Sequence, residues 1–180
     1  MESKHLEQFF DYIAARNIEV YNEFSLQHEL GVFLRTTFPQ YKVQFERNVS
    51  YFGISHTVKK EIDISIVSGK ERFAVELKYP TNGQYPEQLY SFVKDIKFME
   101  QLKEQGFSKT FTVALVKDRP FYEGKDNLGI YDYFRGNKVV QGRIYKPTGL
   151  LKNSDFIDVA GVHRIDWRLL DDRRYFIVEI

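Results

Sequence analysis

Residues 61–80, EIDISIVSGKERFAVELKYP, alternate apolar and polar side chains through two short runs joined by Ser68-Gly69-Lys70. Period-two alternation specifies half-buried strands, and a glycine-containing turn between two of them specifies an antiparallel hairpin. Successive strand side chains point to opposite faces, so Glu61, Asp63 and Ser65 share one face while Ile62, Ile64 and Ile66 take the other. In the second run Ala74, Glu76 and Lys78 share a face, opposite Phe73, Val75, Leu77 and Tyr79. If the apolar sets pack together, the polar sets must also meet, because a one-residue slip would turn every side chain over. The spacing therefore predicts that Asp63, Glu76 and Lys78 converge on an otherwise buried hairpin.

The neighbouring segments supply the rest of a fold. Residues 3–16 read as a first helix and NEFSLQHELGVFLRTTF as a second, with Asn22 as N-cap and Pro39 just past its end. YKVQFERNVSYF alternates as a strand ahead of the hairpin, completing an antiparallel meander. After the Asn82-Gly83 turn, Pro86 opens a helix whose stripe is Leu89, Phe92, Val93, Ile96 and Met99, and Gly106 ends it. TFTVALV then suits a central strand, and a strand-helix-strand order implies a parallel crossover, so an α/β fold with a mixed sheet is expected. Residues 118–160 are mostly irregular by pattern, while HRIDWRLL and RYFIVEI read as a closing hairpin across Asp171-Asp172. No repeat or linker divides the chain, so one domain over 1–180 is expected, with a core of about 22–117 and an extension over 118–180.

Composition removes several function classes. Without cysteine there is no disulfide framework and no thiolate zinc site, which suits a reducing cytoplasm. No apolar run is long enough for a signal peptide or a membrane span, so a cytoplasmic protein without a membrane partner is expected. A net charge of +1 argues against coating nucleic acid by bulk charge, yet permits a basic surface beside an acidic site. There is no Gly-x-x-x-x-Gly-Lys loop and no Gly-x-Ser-x-Gly elbow, so neither a nucleotide cofactor nor a serine nucleophile is expected. His28, His56 and His163 lack partners at metal-ligand spacing and read as structural or surface groups.

Two carboxylates held close together repel as anions, and a cation between them relieves the repulsion. A hard divalent ion, Mg²⁺ or alternatively Mn²⁺, suits oxygen ligands: Asp63, Glu76 and the backbone carbonyl of Leu77, with positions left for a phosphate oxygen and water. Lys78 beside it could orient or deprotonate the water, or neutralise charge developing on the phosphate. The chemistry expected of such a set is metal-dependent phosphodiester hydrolysis.

An acid on one strand (Ile62-Asp63), Glu-x-Lys on the next (Glu76-Leu77-Lys78), a glutamate-bearing helix before and a crossover helix after together resemble the PD-(D/E)XK nuclease superfamily, with isoleucine where the motif's name has proline. The resemblance covers about the first two-thirds of the chain. It implies a restriction-endonuclease-like αβββαβ core, Mg²⁺-dependent cleavage of DNA, and a role related to restriction or defence. It also implies a glutamate from the helix before the sheet at the metal and catalytic site, for which Glu29 in LQHELG is the match. On a helical wheel Glu29 lies about 40° from Phe33, at the margin of the stripe of Leu26, Leu30, Phe33 and Leu34. In some branches a polar residue near the start of the crossover helix approaches the site, and Gln88 could play that part.

Lys60 and Lys94, with Lys59, Lys70, Arg72 and Lys97, could track a phosphate backbone or serve as solubilising charges. Glu29 reads equally as a solvated helix acid. Gln88 reads better as a capping or surface amide, and Asp95, between Lys94 and Lys97, better as a structural or surface charge. One site cuts one strand, so a homodimer would pair two sites on a duplex. The rival expectation is a non-catalytic nucleic-acid-binding or protein-interaction module that keeps the fold, and an RNA or modified-base substrate stays open.

Overall fold

A computed structural model describes residues 1–180. Two helices, α1 (Ser3–Ala15) and α2 (Glu23–Thr37), precede three strands, β1 (Lys42–Asn48), β2 (Glu61–Ser68) and β3 (Glu71–Lys78). A long helix, α3 (Tyr85–Glu104), leads into β4 (Lys109–Val116), and a short α4 (Asp132–Arg135) precedes β5 (Val139–Tyr145), β6 (Phe156–Arg164), β7 (Arg168–Leu170) and β8 (Arg173–Glu179). Asn22 caps α2 as its sequence position predicts: its side chain accepts the Ser25 N–H at 2.8 Å, satisfying a donor the helix cannot. Pro86 stands in the first turn of α3, where a missing N–H costs nothing.

The main sheet has the order β1-β2-β3-β4-β8-β7. β3 and β4 are parallel and every other neighbouring pair is antiparallel, so the expected mixed sheet is present. Its strands alternate, except that β2 turns over at Asp63: Ile62, expected to share a face with Ile64 and Ile66, packs instead with Ala74, Phe98 and Met99. Ile64, Ile66, Phe73, Val75, Leu77, Phe111, Val113 and Leu115 pack with α1 and α2 in one buried cluster. Ala114, Val116, Phe176 and Val178, on the opposite face, pack with Leu89, Phe92, Val93 and Ile96 of α3. Full burial of one such side chain contributes roughly 1.5–3 kcal/mol before entropy is charged against it.

Three stretches differ from the sequence-based expectation. The first strand stops at Asn48, whose side chain accepts the Ser50 N–H and starts a 3-10 turn over Val49–Phe52, closed by Gly53 at φ 77°. Residues 118–160, read as mostly irregular, contain β5 and part of β6, which form a second, two-stranded sheet covering α3. Their alternation was hard to read because Gly142, at φ 68°, breaks the register of β5 against β6. The C-terminal hairpin forms as expected, as β7 and β8, but β8 lies inside the main sheet beside β4. With Phe10 of α1 stacked on Tyr175 of β8 at 3.9 Å, the hydrophobic core draws on both ends of the chain.

Glu100, one turn from the end of α3, docks the second sheet. Its carboxylate accepts the N–H of Gly161 at 2.6 Å and of Ala160 at 3.0 Å, a hydrogen bond from His163 Nε2 at 2.9 Å, and one from Lys97 at 3.1 Å. Burial opposes the anion, but these donors outweigh it and hold the Glu100 carboxyl down at about 2. An acid whose folded pKa is depressed adds stability above its unfolded value, near 4.3, and loses it as pH falls toward the folded value. Thermal unfolding of the wild-type protein should therefore move to lower temperature between pH 4.5 and pH 2. Glu100→Gln should melt lower at neutral pH and show a flatter profile across that acid window, as followed by circular dichroism.

Candidate functional site

The backbone ladder between β2 and β3 runs from Ser68↔Glu71 to Ile64↔Val75, and beyond it side chains take over the donors. Asp63 Oδ2 accepts the Leu77 N–H at 2.7 Å, and Glu76 Oε1 accepts the Asp63 N–H at 3.2 Å. Here strand spacing alone brings the two predicted carboxylates together. On the other side of β2 the register steps from Phe45↔Ile64 to Arg47↔Ile62, and Glu46 between them adopts φ 48°. Left-handed backbone is costly for a residue with a Cβ and is retained where surrounding contacts enforce it. Gln27 of α2 is such a contact: its amide donates to Glu46 Oε1 at 2.5 Å and to the Asp63 carbonyl at 2.8 Å.

Helix α2 can come this close because residue 31 is glycine. A Cβ there would overlap the Phe45 ring, which occupies the space against the helix backbone. The same approach places Glu23, at the start of α2, over the end of β3. Its carboxylate accepts from Lys78 Nζ at 3.2 Å and from the Tyr79 N–H at 3.2 Å.

Helix α3 closes the site from the other layer with Asp95, only 2% exposed. Lys59 Nζ donates to both Glu76 Oε2 and Asp95 Oδ1, the second at 2.9 Å. Lys78 Nζ lies 3.7 Å from Asp95 Oδ2 and donates to the Leu77 carbonyl at 3.0 Å. The oxygen expected to join a metal thus already has the neighbouring ammonium as its partner.

Buried charge sets the electrostatics. Burial raises the Asp63 carboxyl to about 6, even though Lys59 and the Leu77 N–H pull it down. Glu76, fully buried, is pushed well above the usual carboxylate range by burial first and then by the anions Asp63 and Asp95. Burial works against the ammonium forms of Lys59 and Lys78. Asp95 leads the partners that outweigh it, with Glu76 at Lys59 and Glu23 at Lys78, so both lysines are held above the ordinary lysine value. A cleft of about 380 Å³, lined by Glu23, Phe24, Gln27, Glu46, Asp63 and Tyr79 among others, opens onto this group. The largest cleft, about 800 Å³, lies elsewhere, between residues 126–133 and β5, and none of the converging acids and lysines lines it.

Of the residues expected from sequence, Asp63, Glu76 and Lys78 meet. Glu29 does not join them: at 100° per residue it sits about 160° round α2 from Gln27, and it makes no hydrogen bond or ion pair with the group. Gln88 donates to Asn82 Oδ1 at 3.1 Å, capping the turn before α3. Lys60 is exposed and donates to the Ser55 carbonyl at 2.9 Å, and Lys94 is exposed on α3 beside Asp95. Reasoning from sequence missed Glu23 and Gln27 and read Asp95 as a structural or surface charge with no part in the site; the structure buries it in ion pairs with Lys59 and Lys78. A signal was present for Asp95, which lies about 40° from Met99 on the helical wheel, at the margin of the apolar stripe and so toward the buried side of α3.

Comparison with known protein families, curated proteins and solved structures finds no match to this chain. The site is therefore read from its own geometry. Burial penalises the Asp63 anion, and an amide would keep an acceptor for the Leu77 N–H. Asp63→Asn should be more stable than wild type by about 1–2 kcal/mol at pH 8 in EDTA, measured by urea unfolding. Asp95→Ala leaves Lys59 and Lys78 short of a buried partner and should cost about 3 kcal/mol or more.

Proposed function

We propose that the protein is a metal-dependent nuclease that hydrolyses phosphodiester bonds in DNA, with a restriction-endonuclease-like core formed by α2, β1, β2, β3, α3 and β4. The observation that carries this reading is the meeting of Asp63, Glu76 and Lys78 at the end of the β2–β3 ladder, where side chains replace backbone rungs. The cleft also lies at the carboxyl end of β3, beside Tyr79 and Thr81, and the carboxyl ends of strands are where open α/β sheets bind ligands.

The residues present fit a hard divalent cation. Four carboxylates, Asp63, Glu76, Asp95 and Glu23, face two ammonium groups, Lys59 and Lys78, leaving an excess of negative charge. Three buried oxygens in the same layer, Asp95 Oδ2, Ser65 Oγ and Thr112 Oγ1, have no hydrogen-bond partner, and Thr112 pairs with Glu76 across β3 and β4. An all-oxygen donor set suits Mg²⁺ or Mn²⁺. Asp63 and Glu76 would hold the ion, and when bound it would supply a Lewis acid for the phosphoryl group.

The chain's own groups do the remaining work. Lys78, tethered by Glu23 and Asp95, presents an ammonium to charge that builds on the phosphate oxygens. Gln27 fixes the Asp63 backbone and the Glu46 carboxylate, so the acid on β2 enters the reaction already oriented. The exposed Lys60 and Lys94, on the segment before β2 and on α3, would contact the backbone of the nucleic acid.

A second reading, a binding module without catalysis, draws support from Lys59, which already neutralises part of the buried charge. The two separate on supercoiled plasmid. Nicking is expected with Mg²⁺ or Mn²⁺, none in EDTA, and a loss of at least about 100-fold in Lys78→Ala and in Glu76→Gln. Absence of both cleavage and saturable Mn²⁺ binding would transfer the weight to the binding module.

A further inference from the structure

The segment from residue 53 to residue 60 has no regular secondary structure, and it delivers one side chain into the buried layer. Lys59 reaches past the ring of Phe98, 5.7 Å from its ammonium, and donates to Glu76 Oε2 and Asp95 Oδ1. Those carboxylates are 0% and 2% exposed, whereas the lysine side chain is 23% exposed. One cation thus bridges an acid of the sheet and an acid of the crossover helix from a position still reached by solvent. The other Asp95 oxygen has no hydrogen-bond partner and faces the Lys78 ammonium at 3.7 Å.

Resting on the metal-site reading above, we infer that Lys59 is a displaceable internal counter-ion: a divalent cation entering the site takes the Glu76 and Asp95 oxygens from it, and Asp95 becomes a ligand. Two anions in a region of low dielectric attract whichever cation is present, and an ammonium occupying both must leave before a second positive charge can share them. The other tethers of the segment are few, and one of them reaches α3. Val58 N–H donates to Gln101 Oε1 at 2.8 Å, Thr57 Oγ1 donates to the Lys59 carbonyl at 2.5 Å, and Lys60 Nζ donates to Ser55 O. The coil is also anchored at both ends, by Ile54 packed against Phe98 and Met99 and by the Lys60 carbonyl accepting the Val49 N–H at 2.8 Å, so withdrawal of the side chain would rearrange only the stretch between them and leave both core layers in place. The metal affinity of the protein is then set by competition within the chain as well as by the carboxylates themselves.

Titration calorimetry with MnCl₂ and no nucleic acid tests this on the full chain. Lys59→Met and Lys59→Gln should bind Mn²⁺ at least tenfold more tightly than wild type. Lys125→Gln, which removes the same charge from an exposed position that takes no part in the site, should stay within twofold. In Lys59→Met, where buried acids lose their partner, melting should fall in EDTA and recover with Mn²⁺ by more than in wild type. Lys59→Gln keeps a hydrogen-bond donor and serves if the methionine variant does not fold. Equal or weaker Mn²⁺ binding in the Lys59 variants, while wild type binds, overturns the counter-ion role and leaves the metal site standing. Tighter binding without DNA cleavage upholds the role and removes the nuclease. No Mn²⁺ binding by any of the proteins overturns both.

Discussion

A carboxylate with no solvent exposure in the layer between a sheet and a helix is the constraint around which this molecule is arranged. Glu76 can remain there only because partners reach it from separate parts of the chain: the Asp63 N–H from the neighbouring strand, and Lys59 from the coil before it. Lys59 in turn requires Asp95 of α3, which lies close to Lys78, and Lys78 requires Glu23 of α2. Removing a partner from such a chain leaves the next charge buried and uncompensated, so the polar layer is cooperative in a way that the surrounding apolar clusters are not. The helices are thereby placed with respect to the sheet twice, by apolar packing on their inner faces and by charge at their margins.

What could be read in the sequence divides along the same line. Asp63, Glu76 and Lys78 lie on strands, where the side-chain period is two and a hairpin turn fixes the register, so their meeting follows from spacing alone. Residues of α2 do not have that advantage. Its apolar stripe of Leu26, Leu30, Phe33 and Leu34 has two margins, one carrying Glu29 and the other Glu23 and Gln27, and an acid stands on each. Which margin looks into the site depends on how the helix rolls over the sheet, and that is decided by Phe45 filling the space that Gly31 leaves open. That contact joins residues in different elements and leaves no periodic trace. Lys59 is harder still, because a coil residue belongs to no period.

The two sheets show a related contrast. The six-stranded sheet is written in alternation that breaks beside Asp63 and Glu46, and its strands were mostly recognisable, although the placement of β8 beside β4 was not. The two-stranded sheet is interrupted by Gly142 in β5, and it attaches through polar bonds to Glu100 as well as through apolar packing on α3. An acid buried on a helix face is therefore informative at both Asp95 and Glu100: in each case it marks a place where another part of the chain is held.

The position of β8 has a consequence for how the molecule is made. β4 is hydrogen-bonded to β3 along one edge and to β8 along the other, yet 56 residues lie between Val116 and Arg173. At ordinary rates of synthesis that interval is roughly 3–11 s, far longer than a hairpin needs to form. Throughout it the strand that completes the crossover holds a row of unsatisfied backbone groups, flanked by Phe111, Val113 and Leu115, open to any extended chain nearby. The acids and lysines at the site are all present in the nascent chain by then, while the sheet that must carry them still lacks a neighbour, so this interval is when the protein is most exposed to pairing with the wrong strand.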